Sequence, residues 1–516
     1  MPKQQKFTPI SKHLVLLSAV LVISMAGCTL GPNYQKPDVA TPGDWVEWHS
    51  GSQELLDPKL RQAGTSKHAP WWQTFDDATL NKLVEMAQDA NSDLQIAALH
   101  FAQSRTQRNA VAAEQGPRID GRAGATRTKQ SENGTSFRTI DAIAPTNRDS
   151  LVQALSEPFS VYEAGFDASW ELDLWGRVRR SVEAADSRIQ SASATLVQVQ
   201  LTLQTEVVRR YFELRAAQQQ IRIARAQVAT AKESLDIARA KARDGLIDDL
   251  AVAQQETLLA DQRAQLPQLM AEEALASSRI SLLLGKRPGA MQTELADQGN
   301  VLNLATLPDL HLGIPSELAR RRPDIRHAEA ELHAATASIG IAVADLYPRL
   351  TLGAGLGLES TTASKFGDWG SAQWSIGPSL YIPIFDQGRR RAVVQLRELQ
   401  QQEAAVAYQQ IVLKAWHEVD DSLSAYSAEH QRYIQIVEKS RSSSKVLTLS
   451  ETRYRNGIAS YLAVIDARRI LLQSEREEAE SGLRLFLDFV AIRKATGGSL
   501  SPDFDGALQQ ADACQG

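Results

Sequence analysis

The sequence predicts a mainly α-helical chain that also contributes four β-strands to a transmembrane barrel shared between protomers. Three observations carry this reading. Short segments alternate strictly between apolar and polar residues, very long segments without proline carry heptad spacing, and an internal repeat supplies both features twice.

The clearest alternation runs from 161 to 174. Tyr162, Ala164, Phe166, Ala168, Trp170, Leu172 and Leu174 fall on one face, and Glu163, Gly165, Asp167, Ser169, Glu171 and Asp173 on the other. About a dozen residues at this period can cross a bilayer as a tilted strand. Leu350, Leu352, Ala354, Leu356 and Leu358 form a second apolar face. Trp374, Ile376, Pro378, Leu380, Ile382 and Ile384 form a third, and 117–127 gives a weaker fourth. A soluble sandwich alternates in the same way. Four strands followed by very long helices argue against it. Four strands cannot close a barrel, and an open edge is not tolerated in lipid. Two protomers would supply about eight strands and three about twelve. With the apolar face toward lipid, Glu163, Asp167, Glu171 and Asp173 point into the lumen. Such acidic rings predict a preference for cations.

Residues 162–177 and 374–389 align at an offset of 212, and the same offset carries Gly245 onto Gly457. Gly116 onward aligns with Tyr347 onward at 231. The 19 extra residues fall in the polar stretch 128–159, expected as a loop. The plan of each copy is strand, loop, strand, long helix, glycine turn, long helix, preceded by a further helical segment at 77–115 or 316–346. Ser316 is an N-cap candidate for the second of these, and Pro323 with Asp324 suits a first turn. The predicted divisions are a signal peptide at 1–27, an extended segment at 28–76, a first repeat at 77–285, an equatorial linker at 286–315, a second repeat at 316–495 and a tail at 496–516.

No proline interrupts the chain between Gly176 and Gly245, enough for a helix approaching ~100 Å. Val182, Ala185, Ile189, Ala192, Leu196, Val199 and Leu203 step by three and four. The series skips Arg210 and resumes from Leu214 through Ile221, Ala224, Ala231 and Leu235 to Ala238. That stutter unwinds a supercoil locally. Gly245 and Gly457 end the outgoing helices. Pro267 is expected to kink the first returning helix, and the Arg320–Arg322 run to form a solvated face.

Lys3, Lys6, Lys12 and His13 precede the apolar run Leu14–Met25, then Ala26, Gly27 and Cys28. This is a secretory signal ending in a lipobox-like site, so lipidation of Cys28 is expected. A net charge of -5 without a basic tract argues against nucleic-acid binding. The nine His are dispersed, and there is no CxxC or HExxH. The GAGLG run at 353–357 lacks GxGxxG spacing and the strand-to-helix setting. No catalytic site, metal or cofactor is expected. An enzyme is the disfavoured class, and a coiled-coil lipoprotein tethering envelope layers is the non-transport rival.

Several stretches resemble the NodT group of outer-membrane efflux proteins, the family of TolC and OprM. They are CTLGPNYQKP at 28–37, WWQTFDDATLNKLVEMAQDANSDL at 71–94, LLLGKRPG at 282–289, residues 313–352, and RYRNGIASYLAVIDARR at 453–469. The resemblance implies three protomers forming a twelve-stranded outer-membrane barrel, a periplasmic helical barrel and an equatorial region. It implies a passive duct for small molecules such as drugs, opened at its tip by a periplasmic adaptor and an inner-membrane pump of the RND type. A duct for type I protein secretion is the alternative within the family. By the same resemblance Leu462, Asp466, Arg469, Tyr454 and Arg455 match the periplasmic gate, and Gly245, Asp248, Gly457 and Ser460 the adaptor-docking tips.

Overall fold

The computed structural model describes residues 29–38, 47, 49–52, 70–137, 148–297 and 321–498. The signal segment, Cys28, Ser316 and Cys514 lie outside them. The chain forms two compact units, each assembled from three stretches. One comprises 1–35, 103–189 and 331–405, the other 36–102, 190–330 and 406–516.

The first unit holds one antiparallel sheet in the order β1-β2-β3-β4, with β1 at Arg118–Thr128, β2 at Phe159–Leu172, β3 at Arg349–Ser360 and β4 at Ala372–Tyr381. Its central seam joins the two repeats: Phe166 lies opposite Leu356, Gly165 opposite Gly357 and Trp170 opposite Leu352. This register keeps like residues on like faces, because slipping one residue would invert every side chain. The apolar face remains exposed, with Ile119 at 67%, Leu356 at 62% and Trp374 at 76%. On the opposite face a Cβ on Gly165 would come within 2.7 Å of the Leu356 carbonyl oxygen, and one on Gly357 within 2.9 Å of the Ala164 carbonyl oxygen. Side chains there would collide with the neighbouring backbone, which is why glycine occupies both positions.

Two expectations are corrected in this unit. The polar stretch between β1 and β2 contains a helix, α3, at Arg148–Ser156. β2 stops at Leu172, and Asp173 has left the strand. Its carboxylate accepts hydrogen bonds from the backbone N–H groups of Val178 (3.1 Å) and Arg179 (2.9 Å), capping the helix that follows. The positive end of a helix is a better place for a carboxylate than a strand terminus.

The second unit contains most of the long helices. The segment expected as one helix at 77–115 is two, α1 at Ala78–Ala90 and α2 at Ser92–Ala112. Asn91 breaks them, its side chain accepting from Leu94 N–H at 3.0 Å. The first hairpin comprises α4 (Arg177–Arg243) and α5 (Asp249–Leu283), and the second α7 (Arg389–Arg455) and α8 (Tyr461–Ala495). All eight bounds obey the offset of 212. Gly245 and Gly457 both sit at φ 71°, the left-handed conformation that ends the outgoing helix. α6 spans Pro323–Ala344, with Pro323 in the first turn as expected. Pro267 lies inside α5 without ending it. No described helix is long and apolar enough to cross a membrane.

The core of this unit is aromatic. Phe75 meets Phe212 at 4.8 Å and Phe489 at 5.4 Å, and Phe212 stacks on Phe486 at 4.5 Å. This accounts for the WWQTFDD stretch. Trp71, Trp72 and Phe75 are buried, and Asp77 caps α1 while accepting a hydrogen bond from the Tyr211 hydroxyl. Burial, and then that carboxylate, push the Tyr211 phenol above its usual range. Ile221, Ala224, Ala231, Leu235 and Ala238 of the predicted heptad stripe are buried, and Ala231 and Leu235 pack with Leu259 of α5.

Arg322 corrects the solvated-face expectation. It is 6% exposed, pairs with Asp324 and Glu418 at 2.6 Å each, and donates to the Ala495 carbonyl at 2.9 Å. A guanidinium at the last turn of α8 answers carbonyls that the helix leaves unpaired. Asp324 is a local partner, but sequence pattern could not foresee the other two, which lie 96 and 173 residues away.

Candidate functional site

Two surfaces carry the predicted functional residues: the polar face of the sheet, and the turns of the two hairpins.

On the sheet, the four predicted lumen carboxylates have different surroundings. Asp167 pairs with Arg122 at 2.8 Å. Glu171 pairs with Arg177 at 2.9 Å and with Arg349 at 3.6 Å. The hydrogen bond from Arg177 to Glu171 is the main reason the guanidinium holds its proton above its ordinary range. Asp173 caps α4. Glu163 alone of the four has no cationic partner among the described residues, and Glu359, on the polar face of β3 by the same alternation, lies directly opposite it. Glu359 accepts a hydrogen bond from the Gln373 amide at 3.2 Å. Unanswered negative charge is therefore concentrated at Glu163 and Glu359. Period-two reasoning placed Glu163 on this face; only the strand register could bring Glu359 beside it.

At the turns, Asp248 caps α5 by accepting from Ala251 N–H at 3.1 Å. Ser460 holds the equivalent N-cap position before α8 and makes no such bond. Leu462 is 48% exposed, and Ile458, Leu246 and Leu250 are more so. Asp466 and Arg469 form an exposed pair at 3.5 Å, one helical turn apart. Arg455 reaches Glu451 at 3.8 Å.

Tyr454 has a partner that the sequence did not suggest. Lys241, at the end of α4, donates to the Tyr454 hydroxyl, and its ammonium lies 4.4 Å from the Tyr454 ring centre and 5.5 Å from that of Tyr461. The two rings are 5.1 Å apart. Arg468 makes a second link, donating to Ser234 of α4 while pairing with Glu451 at 3.0 Å. Two hairpins more than 200 residues apart are thus tied near their turns. Nothing in the local sequence around Lys241 distinguishes it from other lysines on solvated helices.

The N-terminal stretch is fastened to the first unit. Leu30 N–H donates to the Trp175 carbonyl at 3.1 Å, Arg180 donates to Asn33 at 2.7 Å, and Tyr34 stacks on His333 at 4.3 Å. Gly31 passes so close to α6 that a Cβ would lie 2.5 Å from Gly340 Cα.

The family model described as outer membrane efflux protein matches residues 83–286 and 314–498. The chain belongs to the outer membrane efflux protein family. It is 32% identical to the pyoverdine export outer membrane protein OpmQ of Pseudomonas putida, over 95% of this chain and 98% of that one. It is 30% identical to the solvent efflux pump outer membrane protein SrpC of the same species, over 93% and 97%. Among solved structures, the outer-membrane channel OprN matches with a TM-score of 0.80 and 33% identity, covering 91% of this chain and 99% of that one. The fold is that of the trimeric outer-membrane efflux channels, with a four-stranded sheet in each protomer. The protein is a component of the outer membrane that extends into the periplasm.

Proposed function

We propose that this chain is the passive exit duct of a tripartite efflux assembly, carrying small molecules and opened from its periplasmic end. The observation that carries the reading is the sheet. Its apolar face is exposed and its edges, β1 and β4, are unpaired within the protomer. Such a sheet is stable in lipid only when copies of the chain close it into a barrel. The polar face then lines the lumen, and Glu163 with Glu359 forms an acidic ring.

Lys241, Tyr454 and Tyr461 hold the hairpin turns together, with Leu462 and Asp466 narrowing and charging the passage. The exposed apolar residues near Gly245 and Gly457 dock a periplasmic adaptor, which links the duct to an inner-membrane pump of the RND type. Lipid on Cys28 anchors the N-terminus. Relatives at 32% and 30% identity are named for pyoverdine export and for solvent efflux, so family membership leaves the cargo of this duct open.

Conductance of the purified trimer in planar bilayers tests the reading. The open channel is expected to prefer cations, more weakly at high salt. Glu163→Gln with Glu359→Gln should reduce that preference severalfold, whereas Asp173→Asn should leave it unchanged. Anion preference in the unaltered protein would refute the acidic lumen, and absence of any conductance, also after Lys241→Ala has released the turns, would refute the duct.

A further inference from the structure

A cavity of about 550 Å³ lies in the second unit among α4, α5, α7 and α8. That volume suits a drug-sized ligand. Ile223, Leu447 and Leu471 supply apolar walls and Tyr433 an aromatic ring. The polar groups are unevenly matched. Arg468 is already answered by Glu451. Glu475 and Glu478, one turn of α8 apart, both line the cavity, and among the described residues neither forms a salt bridge. Burial raises the Glu475 carboxyl above its usual range, and the charge of Glu478 raises it further. Gln227 is 5% exposed, and its amide faces Glu475, which it draws back toward the usual carboxyl range without reaching full hydrogen-bond geometry.

Two carboxylates without a cationic partner and a buried amide short of full hydrogen-bond geometry, set in a cavity with apolar walls, define a complementary ligand. It carries a positive charge, a hydrogen-bond acceptor and a hydrophobic body. Among the described residues no group of three His, Cys, Asp or Glu is placed to hold a metal ion, and the apolar walls favour a cation with an organic body.

We propose that this cavity binds amphiphilic organic cations, the ammonium group seated by Glu475 and Glu478 and an acceptor atom by Gln227. The site belongs to the helices of one protomer and goes beyond the duct function proposed above.

Fluorescence titration of the purified, detergent-solubilised trimer with quinine tests this. Quinine joins a protonated amine, a hydroxyl and an aromatic body. Saturable binding is expected in the micromolar range. Glu475→Gln with Glu478→Gln should weaken it about tenfold or more, because a charge-assisted contact is lost at each carboxylate. Ala226→Trp, which fills the cavity from α4 and leaves both carboxylates in place, should abolish it. Binding of the anion 8-anilinonaphthalene-1-sulfonate should not weaken in the double variant. Migration as a trimer on unheated gels verifies assembly of each variant. If the double variant does not assemble, Glu478→Gln alone and Ala226→Trp decide. Quinine affinity unaffected by these changes, or no saturable binding up to millimolar quinine, would overturn the proposal. Bilayer conductance of the same preparation shows independently whether the duct reading stands.

Discussion

The two helical hairpins share every helix boundary at an offset of 212, and both turn at a glycine with φ 71°. Their side chains nevertheless differ in a patterned way. In the first, Arg239 of α4 pairs with Glu256 of α5 at 2.7 Å. At the equivalent positions of the second, Glu451 of α7 pairs with Arg468 of α8 at 3.0 Å, with the charges exchanged. Each hairpin keeps a bridge, but the two cannot substitute for one another. The exchange places an arginine where it also reaches Ser234 of α4. Tyr454 and Tyr461, which receive Lys241, correspond to Ala242 and Asp249 in the first hairpin. Asp488 and Glu429 correspond to Ala276 and Ala217. Repetition conserved the backbone, and substitution gave one hairpin the polar groups that grip the other.

Breaking the grip should have the largest effect. Lys241→Ala removes a cation–π contact and a hydrogen bond, together about 1.5–3 kcal/mol. Occupancy of the open channel in bilayers is expected to rise about tenfold or more, while its counterpart Arg453→Ala changes it little. Unchanged occupancy in Lys241→Ala would show that these contacts do not hold the turns.

Asp488 gives a pH test of the same asymmetry. Burial, with the negative charge of Glu429 adding to it, pushes its carboxyl up to about 6, against the lowering influence of Arg484. The folded protein therefore binds a proton more readily than the unfolded chain between about pH 4 and pH 6, and stability falls as pH rises through that window. Asp488→Asn should raise the thermal midpoint at neutral pH and make no difference below about pH 4. A gain that persists at low pH would mean that charge is not the cause.

The caps should separate the two turns further. Asp248→Ala should cost about 1 kcal/mol, measured as earlier exchange of amide hydrogens in the first turn of α5. Ser460→Ala should cost almost nothing, since Ser460 makes no cap bond. Equal losses would contradict the observed difference. The smallest effect concerns the bridges. Breaking Glu451–Arg468 should cost more than breaking Arg239–Glu256, because its side chains are 33% and 19% exposed rather than 54% and 50%. Each difference is below about 1 kcal/mol and requires double-mutant cycles in thermal denaturation.

Much of the fold was legible because its determinants are periodic. Alternation marked β2, β3 and β4 to within a few residues, and heptad steps with the two glycines marked the hairpins. The middle of α4 was less legible. Ile189, Ala192, Leu196 and Val199 of the predicted stripe are only half-buried, while Ser187, Ser191, Ala194 and Val197 are buried instead. Small and hydroxyl residues can pack against a neighbouring helix without announcing a hydrophobic stripe.

The sequence by itself determined the repeat, the strand faces, the long helices and the family resemblance, all of which depend on local spacing along the chain. Tertiary structure alone decided which charges are answered. Asp173 became a helix cap, Arg322 a buried clamp on α8, Glu359 the neighbour of Glu163, and Lys241 the partner of two tyrosines. The physical reason is common to all four. The effect of a charge depends on what lies within a few ångströms of it, and here those neighbours are set by backbone turns, strand register and helix packing between distant segments.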